Sequence, residues 1–171
     1  MKFQLVDRIE QLTPGERIVT TKCLTSAEEY LADHFPAFPV MPGVLMLEAC
    51  TQSAAWLVRL ATGWQKSIVV LRRARNVRYA SFVTPGQTLR IEATAGKADG
   101  DVHAFTCTGT VDGRTAVQAK IDLRAFCLAD SDPAAGQADQ AILADLRRQF
   151  DLCGGPAAAD AAAAPRQQAG R

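Results

Sequence analysis

The stretch Asp33–Gln52, DHFPAFPVMPGVLMLEACTQ, decides the fold of this chain. Three prolines recur in it at every third position, and each fixes φ and lacks an N–H. They predict a stiff, extended lead-in rather than a helix or a paired strand. The last of them, Pro42, stands where proline favours the start of a helix. The apolar run Val44–Ala61 that follows predicts a long helix ending near Thr62-Gly63, too polar to span a membrane.

The predicted helix is apolar on nearly every side, which is typical of a buried helix. Its one polar face carries Glu48, Thr51, Gln52, Ala55 and Arg59 by the i, i+3, i+4 rule. Glu48 is therefore a carboxylate on a helix that the protein wraps. Burying a carboxylate is costly unless it is paired, hydrogen-bonded or protonated. At this point two interpretations stay open: Glu48 bonds Gln52 or the backbone and has only a structural role, or it is functional.

The residues around Glu48 favour a functional role. His34 is one of only two histidines, and its proline segment ends at the helix that carries Glu48. Gly43 has no side chain, so a ligand can approach its backbone closely. Its N–H lies in the first helical turn, where amides lack an intrahelical partner and the helix dipole favours negative charge. A histidine, a carboxylic acid and such an amide can act as general base, general acid and oxyanion donor.

These residues carry a family resemblance. His34-Phe35-Pro36, Pro39–Leu45 and Glu48-Ala49 with Gln52 resemble the active-site signature of the β-hydroxyacyl-ACP dehydratases of the FabA/FabZ type. Downstream, Arg78-Tyr79 and Val83–Leu89 are similar to the family's Arg-Phe and Val-x-Pro-Gly-Asp-x-Leu segments. The resemblance covers residues 3–128 and implies an α+β hotdog fold, a curved antiparallel sheet wrapped around one long central helix. A glutamate as the acid resembles the FabZ branch, which dehydrates without isomerising the double bond.

The chain departs from the family pattern at two positions. Ala37 replaces the glycine that usually follows His-Phe-Pro, so an added methyl group could shift the histidine or narrow the acyl tunnel. Gln87 replaces the usual aspartate after Pro-Gly, which puts a loop interaction in question. Neither change removes a proposed catalytic group.

The resemblance implies dehydration of 3-hydroxyacyl thioesters on acyl carrier protein to trans-2-enoyl thioesters. His34 would take the C2 proton, and the N–H of Gly43, assisted by that of Val44, would bind the thioester carbonyl. Glu48, directly or through a water, would protonate the departing hydroxyl. In the family the histidine and the acid come from different subunits, so a homodimer or a higher homo-oligomer is expected. Candidates for the apolar tunnel wall are Phe35, Phe38 and Met46.

Composition limits the other possibilities. The chain has 171 residues and is 48% hydrophobic, which predicts one globular domain. A net charge of +1 gives no basic field for nucleic acid. The amino end has no sustained apolar core, and the five scattered cysteines include no C-x-x-C pair, so a cytoplasmic protein with reduced thiols and no membrane contact is expected. Elimination moves only protons, so no metal and no cofactor is expected.

The rest of the chain reads mostly as strands. Phe3–Gln11, Arg17–Cys23, Ser67–Leu71, Gln87–Lys97, Val102–Val111 and Thr115–Phe126 are predicted strands, and Asp-Gly pairs at 99–100 and 112–113 predict hairpins. A capping box at Ser26–Glu29 predicts one or two helical turns. His103 is expected at a solvated strand position. The hotdog domain is assigned to 1–128, a linker and possible helix (138–150) to 129–153, and a low-complexity, disordered tail to 154–171.

A run of arginines follows the strand at Ser67–Leu71. Arg72, Arg73, Arg75 and Arg78, with Arg59 and Lys66, form a candidate surface for docking the acidic carrier protein, although a charge run on strand residues is more often a solvated face. Two alternatives to the dehydratase stay open. One is another hotdog acyl-thioester enzyme, a thioesterase or an enoyl hydratase; the other is a non-catalytic acyl-binding subunit.

Overall fold

The computed structural model describes residues 3–163, and its centre is one antiparallel sheet of six strands. The strands lie in the order β1-β2-β4-β5-β6-β3. Their bounds are β1 (Arg8–Thr13), β2 (Arg17–Cys23), β3 (Ile68–Tyr79), β4 (Thr88–Asp99), β5 (Val102–Val111) and β6 (Arg114–Phe126). The predicted α+β class and the bounds of β2 and β5 are confirmed. At the β5–β6 turn, Asp112 and Gly113 both have positive φ. A two-residue hairpin turn whose twist matches that of its strands requires this at both positions.

One long helix, α1 (Gly43–Ala61), packs against strands β2 to β6. Its small and apolar side chains are almost fully buried, including Ala49, Ala54 and Leu57, and they meet Ile91 and Ile121 of the sheet in one core. The first two turns differ from the prediction of a helix buried all round. Val44 is 67% exposed and Glu48 is only half-buried, so the described residues cover this end of α1 incompletely.

Strand β3 runs through the arginines, although the sequence predicted a strand only as far as Leu71. Pairing with β6 extends it to Tyr79, with register shifts after Leu71 and after Arg75. β3 lies at an edge of the sheet and is largely exposed. Arg73, opposite the part-buried Asp122, lies on the outer face, away from α1.

Two helices follow the sheet, α2 (Gly136–Leu152) and α3 (Gly155–Ala163). The carboxylate of Asp139 on α2 accepts hydrogen bonds from the Ser67 hydroxyl and from the N–H groups of Leu128 and Ala129, the last two at 2.9 Å. The helix expected at 138–150 is therefore present, and these hydrogen bonds attach it to the segments that flank β3 and β6.

The expectation of disorder from residue 154 is wrong for the described part of that segment. α3 packs along β1, with Ala158 buried, and the N–H of Ile9 donates to the Cys153 carbonyl at 2.8 Å. An alanine-rich segment has high helix propensity, and the β1 edge gives it a surface to pack on. Residues 164–171 of the expected tail lie outside the described residues. None of the described helices is long and apolar enough to cross a membrane.

Candidate active site

His34 is positioned by a short turn that follows β2. A 3-10 turn at Glu29–Leu31 precedes it, and the His34 N–H donates to the Tyr30 carbonyl at 3.2 Å. Glu28, before this turn, pairs with the buried Lys22 of β2 at 2.7 Å. The predicted capping box is not formed, because the N-cap residue is Glu28 and its side chain caps nothing.

The proline segment is not extended throughout. The N–H of Phe38 donates to the Phe35 carbonyl at 2.8 Å and closes a turn, with Phe35 at φ +50°. Positive φ is uncommon for a residue with a side chain, so the strained position here is Phe35. Ala37 is exposed and is not among the described non-glycine residues with positive φ. The methyl group at position 37 therefore fits this backbone without strain.

The start of α1 offers two backbone donors. Pro42 precedes the first turn, and its carbonyl accepts from the N–H groups of Leu45 and Met46. The N–H groups of Gly43 and Val44 have no hydrogen-bond acceptor within residues 3–163. The Tyr79 ring lies against Gly43, since a Cβ at that position would stand 3.2 Å from two ring carbons. A side chain here would therefore crowd the Tyr79 ring, so glycine suits both the packing and the access to the backbone.

The start of α1 and the turn that carries His34 border a cavity of about 620 Å³, called the histidine cavity below. His34, Gly43, Val44 and Met46 line it, together with Phe35 and Tyr79. Phe38 is not on its wall; it is 55% exposed and meets the Phe82 ring edge-on at 5.7 Å. Burial raises the pKa of the Tyr79 hydroxyl, so this phenol stays protonated at neutral pH.

Glu48 lines a second cavity of about 250 Å³, called the glutamate cavity below. The side chain of Gln52 donates to the Glu48 carboxylate at 3.0 Å. Gln52 is itself held by the N-terminal segment, because its carbonyl oxygen accepts from the Leu5 N–H at 2.8 Å and its amide donates to the Phe3 carbonyl at 3.2 Å. The predicted Glu48–Gln52 bond therefore exists, and it fixes a carboxylate that faces a cavity.

Within one chain, His34 and Glu48 do not line the same cavity.

The predicted docking arginines separate into two groups. Arg72, Arg73, Arg75 and Arg78 are exposed on β3, and Arg75 pairs with Asp122 at 2.8 Å. Arg59 is only 9% exposed, so assigning it to a docking surface was wrong. It lines the glutamate cavity, because the C-terminal half of α1 is covered by α2, which the sequence could not place.

Three further residues depart from what the sequence indicated. Gln87 does keep a loop interaction, since its side-chain oxygen accepts from the N–H and the hydroxyl of Thr84 at 2.9 and 3.0 Å. His103 is half-buried and lies opposite the fully buried Leu123, on the inner face, rather than at a solvated position. Tyr79 was part of the quoted motif, but its contact with Gly43 is visible only once β3 is paired in the folded structure. Residues 3–163 contain no group of three or more acidic, histidine or cysteine side chains arranged to hold a metal ion.

Comparisons with known proteins match most of this chain. A family model described as a FabA-like domain matches residues 1–120. A protein of Rickettsia bellii named 3-hydroxyacyl-[acyl-carrier-protein] dehydratase FabZ is 41% identical over 119 residues, which are 69% of this chain and 82% of that protein. A protein of Rickettsia rickettsii with the same name is 40% identical over the same shares.

Two solved structures share the fold. The dehydratase heterocomplex ApeI:P from Xenorhabdus doucetiae superposes with a TM-score of 0.62 at 15% identity, over 78% of this chain and 90% of the other. A hypothetical thioesterase with coenzyme A from Streptococcus pneumoniae gives 0.53 at 14% identity, over 70% and 85%. The predicted hotdog fold is confirmed by these likenesses.

Proposed function

The chain belongs to the FabA-like family, and from that premise we infer that it dehydrates 3-hydroxyacyl thioesters carried on acyl carrier protein. The product is the trans-2-enoyl thioester, and water is released. The reaction class rests on the match over residues 1–120 and on the 41% identity to a dehydratase over 82% of that relative's length. The reaction removes a weakly acidic C2 proton and expels a poor leaving group, hydroxide, from C3.

The roles of the site residues follow from their chemistry. His34 takes the C2 proton onto its imidazole while the C–H electron pair forms the enolate. The N–H of Gly43, with that of Val44, donates to the thioester oxygen and stabilises its developing charge. Glu48, oriented by Gln52, gives its proton to the C3 hydroxyl as the C–O bond breaks and water leaves. Proton transfer from His34 back to Glu48 by way of solvent restores the starting state.

The observation that carries this proposal is the division of the site between two cavities. His34 and the free amide of Gly43 share the histidine cavity, whereas Glu48 faces the glutamate cavity. A homodimer that covers the exposed end of α1 would bring the histidine cavity of one subunit to the glutamate cavity of the other. The exposed strand β3 offers the edge for such pairing.

The carrier protein is the second partner in the proposal. Arg78 precedes Tyr79, which lines the histidine cavity, and Arg73 and Arg75 continue along the outer face of β3. Cationic side chains beside the cavity mouth suit an acidic carrier and the phosphate of its pantetheine arm. A cytoplasmic location fits the supply of such a carrier.

The test is product analysis with a 3-hydroxyacyl thioester on acyl carrier protein. Wild type should release the enoyl thioester, and His34→Ala and Glu48→Gln should each lose most of the rate. Hydrolysed thioester without enoyl product would favour a thioesterase instead. Retained acyl binding without any turnover would favour a non-catalytic binding subunit.

A further inference from the structure

The mechanism leaves one buried charge unused. Arg59 lies on the same face of α1 as Glu48 and is only 9% exposed. Its Nε is buried without a hydrogen-bond partner among the described residues, and none of the ion pairs there includes it. Burial lowers the pKa of this guanidinium to about 10, which still leaves it charged at neutral pH. Burying a cation without an anionic partner is costly, and the Trp56 ring that it faces offsets only part of that cost, so the site favours an anion.

A second donor lies beside it. The guanidinium of Arg59 stands 5.2 Å from the centre of the Trp56 ring, and the indole Nε1 of Trp56 is also buried without an acceptor in residues 3–163. Both side chains line the glutamate cavity. Two adjacent buried donors with no acceptor are unusual in a folded protein, where buried polar groups are nearly always hydrogen-bonded.

The position of these donors relates them to the reaction. Glu48 and Arg59 are about three turns apart on one face of α1, on the order of 16 Å along the helix axis. The same cavity extends past both, with Val69 and Leu146 on its walls between strand β3 and helix α2. An acyl chain that has its C3 at Glu48 and follows this cavity would extend towards Arg59. A chain ending in methyl would cover both donors without satisfying either.

We propose that Arg59 and Trp56 form a subsite for a carboxylate at the far end of the acyl chain. This inference rests on the proposed function, because it takes the glutamate cavity as the path of the chain. A guanidinium pairs with a carboxylate through two parallel N–H···O bonds, and the indole N–H adds a third donor. The preferred substrate class is then a 3-hydroxyacyl thioester with an ω-carboxylate rather than a plain fatty acyl chain.

The test compares two 3-hydroxyacyl thioesters of equal length, one ending in carboxylate and one in methyl. Wild type should show a higher kcat/KM for the carboxylate form, by about tenfold or more, as expected for one buried charge-assisted pair. Arg59→Met should bring the ratio of the two values close to one, and Arg59→Lys should keep part of the preference. Arg8→Met removes an exposed arginine on β1 and should keep the wild-type ratio.

Several results would overturn the subsite. They are a wild-type preference for the methyl form, an unchanged ratio in Arg59→Met, and a dimer structure in which a carboxylate of the other subunit occupies Arg59. Trp56→Phe serves as the second variant if Arg59→Met does not fold, and it should lower the ratio by removing the indole N–H alone.

Direct binding separates this inference from the proposed function. A medium-chain α,ω-dicarboxylate titrated calorimetrically should bind wild type and should bind Arg59→Met at least about tenfold more weakly. If wild type dehydrates neither thioester yet binds the dicarboxylate through Arg59, the function is wrong and the subsite stands. If both thioesters react but the dicarboxylate binds wild type and variant equally or not at all, the function stands and the subsite is wrong.

Discussion

The ring of Tyr79 lies directly on the Cα of Gly43. A Cβ at position 43 would come within 3.2 Å of two ring carbons, closer than most such contacts in proteins. One residue starts the central helix and the other ends the edge strand β3, so this contact joins the proposed oxyanion donor to the strand that carries the proposed docking arginines. It makes Gly43 a packing position as well as a chemical one.

Gly43→Ala should therefore reduce dehydration more than it reduces stability. The added methyl group must displace the Tyr79 ring or the first turn of α1. If the first turn moves, the N–H of Gly43 no longer points at the thioester oxygen. A loss of about ten- to a hundredfold in kcat is expected, in line with removal of an oxyanion donor. Steady-state kinetics with thermal unfolding would measure both effects.

A matched glycine serves as the control for that change. Gly136 also opens a helix, but a Cβ there would meet nothing within 4 Å. Gly136→Ala should leave the rate near wild type. Equal losses in both variants would show that the effect comes from helix starts in general, and adding Tyr79→Ala to Gly43→Ala should recover part of the rate.

Mixing two inactive variants should restore activity if the site is shared between subunits. A dimer of one His34→Ala chain and one Glu48→Gln chain contains one intact pair and one doubly altered pair. With equal amounts and random assortment, activity should return to about a quarter of wild type. The measurement is the enoyl product formed after unfolding and refolding the mixture. No recovery, in the presence of mixed dimers seen by native mass spectrometry, would contradict a shared site.

Charge reversal on the outer face of β3 should weaken use of the carrier-bound substrate. Arg73→Glu with Arg78→Glu should lower kcat/KM for the carrier thioester by about tenfold or more at low salt, and less at high salt. The same chain on free pantetheine should react as with wild type, since no carrier surface is involved. The control, Arg8→Glu with Arg114→Glu, makes an equal charge change at other exposed positions. Equal losses on both substrates would indicate damage to the site rather than to docking.

Asp139→Asn should destabilise the protein at neutral pH. Hydrogen bonds from the Ser67 hydroxyl, and from the N–H groups of Ala129 and Leu128, hold the pKa of the Asp139 carboxyl below its ordinary value of 3.8. Because the folded state favours the ionised form, this contribution is fully present above that value and is lost as the pH falls through the lowered pKa. The Tm of the variant should lie several degrees below wild type at pH 7, and the two should converge in acid.

A second carboxylate on α2 gives the comparison for this change. Asp145 is exposed, and within residues 3–163 its one ion pair is with Arg148, one turn further along. Asp145→Asn should shift Tm little at any pH, as expected for an exposed ion pair. A gap between Asp139→Asn and wild type that stays constant down to low pH would mean that the charge of Asp139 contributes nothing.

The local features of this protein could be predicted from sequence, including those that define the family. The start of α1 at Pro42-Gly43, the hairpin turn at Asp112-Gly113, and the bounds of β2 and β5 all depend on φ preferences and on periodicity within a few residues. The hairpin predicted at Asp99-Gly100 forms one residue later, because Asp99 still pairs with Val102 as the last residue of β4. The Glu48–Gln52 bond follows from helical spacing alone. His34, Gly43 and Glu48 could be chosen as candidates for the same reason, because their chemistry and spacing are visible in one short stretch.

Other features depended on contacts between distant parts of the chain. β3 continues through its arginines because β6 pairs with it, and the segment after residue 154 is helical where it packs along β1. Arg59 was assigned to the surface by sequence, whereas α2 covers it, and the separate cavities of His34 and Glu48 could be found only in the folded chain. Burial and cross-strand partners are set by residues far away in sequence. Propensity and periodicity therefore determined the elements of this protein, and only tertiary packing decided which of its charged groups are buried.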